Sequence, residues 1–540
     1  MMNTINSLIF KGSKYKLIFI IGLFLTLTSN SEFFTHTLKI YPLSLQNVGF
    51  LFSLLLVLFF LSILLLTFLS GKHLLKPSLI LILLVSSLSS YFMNTYHIVI
   101  DEVMIQNIVE TNMHEATDLL SLKQMEYFIF FGIIPSVFVY YYVVIPMKLT
   151  KDILYKITIV SLSLTSSILL IFIFSKHYTS FFREHKPLRF YTNPSYWIYA
   201  SGKYIGIQFS SSNTPLKLVG QDAKVVEKED EAKDLVILVI GEAARADRFS
   251  LNSYERETNA LLKQEDILNF PNTSSCGTST AVSVPCMFSV FNRSNYNDAD
   301  AKTTENVLDV LATTHDVDIL WRDNNSDSKG VALRVPYENY RTAKNNTICD
   351  EECRDEGMLV GLDKYIEAHK NRDILIVLHQ MGNHGPAYYK RYPKAFEKFT
   401  PTCKTNQLEE CTKEEISNAY DNAIVYTDYF LSKTIQLLKR YNQSHETAMI
   451  YMSDHGESLG EHGVYLHGLP YFMASKAQTN VASLMWFGEK MKEEIDMKAL
   501  QNKRNDSFSH DNLFHTLLGV FDAKTEVYNE KLDILKNPKS

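Results

Sequence analysis

Five long apolar runs in the first third of the chain decide what this sequence can fold into. They lie at about 17–34, 48–69, 78–93, 125–145 and 153–175. A helix needs about 20 apolar residues to cross the hydrocarbon core of a bilayer, and only the third run is short and serine-rich. We therefore predict an α-helical membrane domain of five spans over residues 1–175. A cleaved signal peptide at the first run is the alternative, but no small-residue cleavage site follows it.

The charges of the connecting loops predict the orientation of these spans. Lysines concentrate in the N-terminal tail and in the loops at 70–77 and 146–156, whereas the loop at 94–124 is acidic. Because basic loops stay on the cytoplasmic side, we expect a cytoplasmic N-terminus and an external location for everything after the fifth span.

Two further segments are predicted after the spans. Residues 176–215 are rich in aromatic and basic side chains, which favour the level of the lipid headgroups, so we expect an interfacial linker. An ordinary linker is the alternative. The charged stretch between Lys224 and Lys233 lies near the start of a soluble domain, which we assign to residues 216–540. The formal net charge of −6 and the absence of a long basic run argue against a nucleic-acid partner.

The cysteines agree with an external soluble domain. All six lie beyond the spans as three local pairs, namely Cys276 and Cys286, Cys349 and Cys353, and Cys403 and Cys411. An even number confined to an oxidising compartment indicates three disulfides. A structural zinc site is the alternative, although no second pair matches the spacing of Cys349 and Cys353.

The soluble domain shows the pattern of a parallel sheet. Short apolar runs at 235–240, 317–320, 374–378 and 449–452, interrupted only at Asp318, alternate with helix-like segments. Strands that are apolar throughout are buried on both faces, which indicates an α/β domain with a mainly parallel sheet sandwiched by helices.

Carboxylates and imidazoles follow three of these strands. Glu242 follows the first run, after Gly241, and His379 and His384 follow the third. After the fourth come Asp454, His455, Glu457 and His467. Open α/β sheets bind ligands at the carboxyl ends of their strands, and these side chains suit zinc or manganese. A single acidic residue there is usually a helix cap, but three such strand ends predict a metal site.

A nucleophile for this site is offered by the segment 276–286, CGTSTAVSVPC. Metal coordination favours the alkoxide of a hydroxyl that is otherwise unreactive, and a helix start would also hold an anion. The spacing alone does not choose among Thr278, Ser279, Thr280 and Ser283. A capping turn clipped by a disulfide is the alternative reading.

Long motifs at these positions carry a resemblance to a known family. They are VIGEAARADRFSLNSYERET, CGTSTAVSVPC, LHQMGNHGPAYYKRYP, SDHGESLGEHGVYLHG and SHDNLFHTLLG. The chain resembles, over essentially its whole length, the lipid A phosphoethanolamine transferases, membrane enzymes that include the mobile colistin-resistance proteins. The resemblance implies an alkaline phosphatase/sulfatase-like catalytic domain.

The resemblance also implies roles for individual residues. Thr280 matches the nucleophile that accepts phosphoethanolamine, and with Glu242, Asp454 and His455 it matches the ligands of a zinc ion. His384 and His467 match histidines that bind substrate phosphate or a second zinc. The remaining matches are His379 and Lys329 at the phosphate site, Glu457 beside the metal, and Asn107, Thr111 and Glu115 in the acidic outer loop at the substrate headgroup. A merely solvated helix face is the alternative for the last three.

We therefore predict a zinc-dependent transferase, active as a monomer in the bacterial inner membrane with its catalytic domain in the periplasm. It would move phosphoethanolamine from phosphatidylethanolamine to lipid A or another lipopolysaccharide acceptor through a phosphothreonine-type intermediate, and so give polymyxin resistance. Alternatives are a phosphoglycerol transferase of the lipoteichoic acid synthase type, a plain hydrolase, and a non-catalytic membrane sensor. A sulfatase is disfavoured because the chain has no Cys-x-Pro-x-Arg motif.

Overall fold

The computed structural model describes residues 10–111, 116–117, 119–212, 214–226 and 232–536. The chain forms two compact units, one made of Met1–Ile105 and Leu120–Lys203 and the other of Gln106–Leu119 and Tyr204–Ser540. The short segment 106–119, in the predicted outer loop, therefore belongs with the second unit. The domain boundaries drawn from the sequence at 175 and 215 stay predictions.

The helices of the first 212 residues follow the apolar runs. They are α1 (Lys14–Thr28), α2 (Ser31–Ile40), α3 (Val48–Phe68), α4 (Leu75–Tyr96), α5 (Glu102–Glu110), α6 (Leu122–Tyr141, with a π-helical turn at Phe128–Ile133), α7 (Leu149–Ile173), α8 (Ser175–Glu184) and α9 (Ser195–Ser212). Among the described residues, α3, α4, α6 and α7 are each long and apolar enough to cross a membrane. Helices α1 and α2 pass the same test only together, and they are bent by 53° at their junction.

The predicted linker is folded into helices. It contains α8, a 3-10 helix at Lys186–Tyr191, and α9. Phe181, Phe190 and Tyr191 are buried, and the ring of Tyr191 stacks on His36 within the first unit. Several of its aromatic side chains thus serve packing, and its location along the outer leaflet stays a prediction.

The second unit is built on a seven-stranded sheet. Its strands are β1 (Lys233–Gly241), β2 (Leu268–Asn269), β3 (Val317–Asp323), β4 (Tyr337–Asn339), β5 (Asp373–His379), β6 (His445–Ser453) and β7 (Ser483–Phe487), in the order β2-β7-β6-β1-β5-β3-β4. Strand β7 is antiparallel to both its neighbours, and the adjacent strands β6, β1, β5, β3 and β4 are parallel. Ser453 pairs with Gly241, and His379 pairs with both Ile240 and Asp323. The residues that follow these four strands therefore emerge at one edge.

Helices cover the sheet on both faces. They are α10 (Thr280–Met287), α11 (Asp298–Lys302), α12 (Val307–Thr313), α13 (Leu362–His369), α14 (Lys413–Lys439), α15 (Lys476–Thr479), α16 (Glu489–Glu494), α17 (Met497–Lys503) and α18 (Leu513–Val520). On β1, Val236 and Leu238 belong to one core cluster with residues of α10, α12 and α18. Leu235 and Ile237, which alternate with them on the opposite face, are fully buried as well. This explains why the strand is apolar throughout.

Short strands also pair within each unit, the first of the following pairs in the first unit and the others in the second. Lys11–Gly12 pairs with Val143–Val144, Lys224–Val225 with Ala523–Lys524, Ser458–Leu459 with Tyr465–Leu466, and Thr273–Ser274 with both Asn480–Val481 and Phe508–Ser509. Three disulfides join Cys276 to Cys286, Cys349 to Cys353, and Cys403 to Cys411, which are the local pairs of the sequence.

Candidate active site

Two strand ends bring three potential ligands together. Glu242 follows β1, and Asp454 and His455 follow β6, its parallel neighbour. The Nε2 atom of His455 lies 3.3 Å from Oε1 of Glu242 and 3.4 Å from Oδ2 of Asp454. All three side chains are fully buried, and their candidate ligand atoms lie within 4.8 Å of one another. This cluster is the centre of the site.

Thr280, the first residue of α10, faces this cluster. Its hydroxyl donates a hydrogen bond of 3.0 Å to Oε2 of Glu242 and lies 3.3 Å from Nε2 of His455. Two of the neighbouring hydroxyls have other partners: Thr278 donates to the carbonyl of Leu469, and Ser283 accepts from the backbone of Gly277. The hydroxyl of Ser279 is buried and has no hydrogen-bond partner among the described residues. Thr280 is thus distinguished by its contacts with Glu242 and His455.

The side chains of this cluster and the hydroxyl of Thr280 offer donor atoms that suit a divalent cation. Oε1 of Glu242 and Oδ2 of Asp454 are buried and accept no hydrogen bond from any described residue. The Nδ1 atom of His455 is within 2.8 Å of the carbonyl of Gly456, an acceptor that fixes Nδ1–H and leaves Nε2 as the free ligand atom. Two carboxylate oxygens, one imidazole nitrogen and one hydroxyl match the tetrahedral preference of zinc. The residues present fit the ion.

Electrostatics point the same way. Burial raises the pKa of the Asp454 carboxyl to about 6, and the charge of Glu242 adds to that rise. Burial opposes a charged imidazole, yet Asp454 and Glu242 outweigh it and raise the pKa of His455 to about 10. Burial likewise opposes the Glu242 carboxylate, but His455 holds its pKa well below the usual range. A nearby positive charge therefore stabilises the carboxylates of Glu242 and Asp454. A divalent metal ion carries more positive charge than a single proton and would stabilise them further.

A strained turn holds Glu242 in place. Ala243 adopts a left-handed conformation at φ 54°, which is costly for a residue with a Cβ. Its N–H donates to Oδ1 of Asp454 at 3.0 Å, and its carbonyl accepts from the hydroxyl of Tyr420 at 2.6 Å. These contacts compensate the strain and tie the ends of β1 and β6 together.

A small pocket of about 60 Å³ opens at the nucleophile. It brings together six residues predicted from the sequence and three others: Asn107, Thr111, Thr280, Lys329, His384 and His467, with Ser279, Ala281 and Ser326. The ring of His467 lies 4.3 Å from that of His455 and 5.9 Å from that of His384, centroid to centroid. A cation, two imidazoles and several hydroxyls around a small volume are suited to a tetrahedral anion such as phosphate.

Two predicted residues lie outside the lining of this pocket. Glu457 is buried, and its Oε2 lies 3.2 Å from Nδ1 of His467, so that it orients this ring. His379 is fully buried at the end of β5, with its Nδ1 2.9 Å from Oδ2 of Asp323. Burial opposes protonation of His379, but the carboxylate of Asp323 outweighs it and raises the pKa. Glu115 lies outside the described residues, and the role of each residue stays a prediction.

Three residues of the site were missed by the sequence reasoning. Asn325 donates to Oε2 of Glu242 at 2.8 Å, and Arg245 donates to the backbone of Glu457 at 2.9 Å. His510 contacts the backbone of both Cys276 and Ser453, which brackets the nucleophile segment and the end of β6. The sequence could have indicated Asn325, because it follows the second apolar run in the way that the predicted site residues follow the other three runs. His510 lies in the motif SHDNLFHTLLG, but its backbone partners are distant in the chain, so the sequence did not indicate these contacts.

Comparisons with known proteins agree with this architecture. Residues 234–523 match the family described as sulfatase, and residues 58–209 match the family described as phosphoethanolamine transferase EptA/EptB. The chain is 42% identical to phosphatidylethanolamine transferase Mcr-1 of Escherichia coli over 97% of this chain and 98% of that protein. It is 40% identical to phosphoethanolamine transferase EptA of Escherichia coli K12, with 95% of each chain covered.

Solved structures extend the similarity to three dimensions. The integral membrane protein lipooligosaccharide phosphoethanolamine transferase A (EptA) of Neisseria meningitidis superposes with a TM-score of 0.94 at 33% identity, covering 97% of this chain and 99% of that chain. The C-terminal periplasmic domain of phosphoethanolamine transferase EptC of Campylobacter jejuni gives a TM-score of 0.53 at 43% identity, covering 60% of this chain and 98% of that chain. With a membrane unit and a sulfatase-like unit both matched, this chain belongs to the EptA-type family of phosphoethanolamine transferases.

Proposed function

We propose that this protein transfers phosphoethanolamine from phosphatidylethanolamine to a phosphate or sugar hydroxyl of lipid A or another lipopolysaccharide acceptor. The observation that carries the proposal is the hydroxyl of Thr280, held 3.0 Å from Glu242 and 3.3 Å from His455 at the mouth of a phosphate-sized pocket. The names of the relatives supply the substrate class. An added ammonium lowers the negative charge of the outer surface and so weakens the binding of cationic peptides such as polymyxin.

The reaction proceeds in two steps on Thr280. In the first, its oxygen bonds to phosphorus as the bond from phosphorus to the glycerol oxygen breaks, and diacylglycerol leaves with the proton that the threonine lost. In the second, an acceptor oxygen bonds to phosphorus as the bond from phosphorus to the Thr280 oxygen breaks, and Thr280 regains a proton that the acceptor hydroxyl gives up. Glu242 orients the hydroxyl, while Lys329, His384 and His467 hold the charged phosphoryl oxygens.

The metal of this site is proposed to be zinc, held by Glu242, Thr280, Asp454 and His455. When bound, it supplies Lewis-acid stabilisation of negative charge and lowers the pKa of the threonine hydroxyl. A second zinc at His384 and His467 belongs to the same proposal, since their rings approach within 5.9 Å.

Metal content tests the ligand set directly. We expect the Glu242→Gln protein to hold at least tenfold less zinc than wild type after dialysis, because the variant loses the anionic ligand. Elemental analysis of purified protein measures this. A matched control is Glu461→Gln, which changes a carboxylate that pairs with Arg245 at 2.6 Å. Equal zinc in wild type and the Glu242 variant would contradict the assignment.

The location and membrane topology of the chain are also part of the proposal. We place the chain in the bacterial inner membrane as a monomer with five spans in residues 1–175, an interfacial linker at 176–215 and a periplasmic catalytic domain from 216. Three disulfides in the second unit support an oxidising compartment. The first of these five spans is the bent pair of α1 and α2, which is long and apolar enough only when the two helices are taken together.

Mass spectrometry of lipid A tests the proposed activity. Bacteria that express the wild-type chain should gain lipid A species heavier by one phosphoethanolamine, and fragmentation locates the acceptor. Thr280→Ala should abolish this gain, whereas Thr278→Ala should keep it, because that hydroxyl binds a backbone carbonyl instead of the cluster. A gain of phosphoglycerol would favour the lipoteichoic acid synthase type of reaction. Full modification by the Thr280 variant would contradict covalent transfer.

A further inference from the structure

A second, larger cavity adjoins the pocket of the nucleophile. It has a volume of about 380 Å³, and Lys329 lines both spaces. Pockets that hold whole small molecules usually measure about 300–1,000 Å³, so the space of about 60 Å³ at Thr280 has room for little more than a phosphoryl group. The remainder of a headgroup bound there needs adjoining room, which the cavity beyond Lys329 provides.

One carboxylate in this cavity has an unused acceptor. Oε2 of Glu110, at the end of α5, is buried and accepts no hydrogen bond from the residues that the structure describes. The nearest cations are Nζ of Lys329, 4.0 Å from Oε2, and Nζ of Lys302, 3.8 Å from Oε1. Both distances exceed a hydrogen bond. Burial raises the pKa of Glu110, so a further cationic partner would stabilise its charge.

The other charged groups of the cavity are engaged or exposed to solvent. Asp327 accepts from the backbone N–H of Lys329 at 2.6 Å, and its side chain is 58% exposed. Arg334 forms a two-pronged ion pair with Asp309, and Lys302 pairs with Asp298 at 2.9 Å. Oε2 of Glu305 accepts from the backbone of Val219 at 2.9 Å and from Gln221 at 3.0 Å. Glu110 is therefore the carboxylate with the clearest capacity for a new donor.

Gln106 connects this carboxylate to the nucleophile segment. Its side-chain amide donates to Oε1 of Glu110 at 3.0 Å and to the carbonyl of Ala281 at 3.4 Å, and Ala281 follows Thr280. A single nitrogen donates both bonds, so Oε1 of Glu110 and the carbonyl oxygen of Ala281 lie within two hydrogen-bond lengths of each other. A two-carbon arm can therefore join a phosphate bound beside this segment to an ammonium at the carboxylate.

We propose that Glu110 binds the ammonium of the ethanolamine headgroup and selects it over an uncharged headgroup of similar size. This inference rests on the proposed function and names a specificity-determining residue for it. With phosphate at Thr280, Lys329 is attracted to the phosphoryl oxygens, and the ammonium takes its place beside Oε2 of Glu110. The three N–H donors of an ammonium match the open acceptor positions of a carboxylate.

Binding of two soluble probes to the purified full-length protein tests the inference. O-Phosphoethanolamine and n-propyl phosphate have nearly the same shape, but only the first carries an ammonium. We expect wild type to bind phosphoethanolamine at least tenfold more tightly by calorimetric titration, and Glu110→Gln to reduce that preference to less than threefold. Glu110→Asp should restore part of the preference, because it keeps the charge.

The outcomes are distinguishable. Glu305→Gln, a change in the same cavity at an engaged carboxylate, should keep the wild-type preference. A wild type without preference for phosphoethanolamine, or a Glu110→Gln variant that keeps it, overturns the inference. An equal loss of both probes in Glu110→Gln also overturns it, because Glu110 would then only position Lys329. Adduct formation on Thr280 is measured in parallel, so that failure of the transferase proposal is seen separately.

Discussion

The carboxylate of Glu242 divides its two oxygens between two tasks. Oε2 accepts hydrogen bonds from the hydroxyl of Thr280 at 3.0 Å and from the amide of Asn325 at 2.8 Å. Oε1, which accepts no hydrogen bond from the described part of the chain, is left as a candidate metal ligand. Asn325 itself is fixed by a second bond of 2.7 Å to the carbonyl of Gln380. Asn325 therefore helps to position the hydroxyl of Thr280 through their shared partner, Oε2 of Glu242.

Asn325→Ala should slow transfer without removing the nucleophile. Loss of a buried hydrogen bond to a charged group costs about 1–3 kcal/mol, which corresponds to a rate lower by about 5- to 150-fold. The rate of adduct formation on Thr280, per folded molecule, measures this. Asn324→Ala is the matched control, since that neighbouring buried amide binds Asp355 and the carbonyl of Cys353. Equal rates for the two variants would contradict a positioning role for Asn325.

At the scale of elements, His510 joins the nucleophile segment to strand β6. Its Nδ1 accepts from the backbone N–H of Cys276 at 3.0 Å, and its Nε2 donates to the carbonyl of Ser453 at 2.9 Å. Because Nδ1 accepts, it carries no proton, so the two bonds together require the neutral ring with its proton on Nε2. Burial accordingly lowers the pKa of His510 to about 4.

This linkage predicts a pH dependence of stability. An unfolded histidine titrates near pH 6.5, so between about pH 4 and 6.5 the unfolded chain binds a proton that the folded chain does not. The stabilisation of the folded protein by neutral His510 is therefore complete above about pH 6.5. It is lost as the pH falls, and the loss in the free energy of unfolding reaches the order of 3 kcal/mol. The melting temperature of the purified protein should fall between pH 7.5 and 5, and less steeply in His510→Gln. Parallel curves for the two proteins would refute this account.

At the scale of the whole molecule, the sequence predicted the parts whose signals are local. Apolar runs marked the four central strands, because a strand buried on both faces is made mainly of apolar residues; Asp318 of β3 is an exception and pairs with Arg372 at 2.7 Å. The bend between α1 and α2 was not predictable, since Asn30 at the break binds the backbone of Asn193, far along the chain. The choice of Thr280 needed the resemblance or the structure, because its hydroxyl meets Glu242 and His455 only through contacts between residues that are far apart in the chain.

The cavity at Glu110 belongs to this scale as well. It joins the end of α5 to residues of α11 and of the loop after β3, which are far apart in the sequence. The resemblance marked the acidic outer loop as a headgroup site through Asn107, Thr111 and Glu115. Spacing along one helix could not show which carboxylate oxygen is buried and still able to accept a hydrogen bond.

The most direct test of the account is the mass of the protein itself. Full-length protein incubated with phosphatidylethanolamine vesicles, quenched in acid and digested, should carry one phosphoethanolamine on the peptide that contains Thr280, and fragmentation should assign it to that residue. The Thr280→Ala protein should carry none. An unmodified wild-type peptide under conditions where lipid A is modified, or an adduct on another residue, would contradict transfer through Thr280.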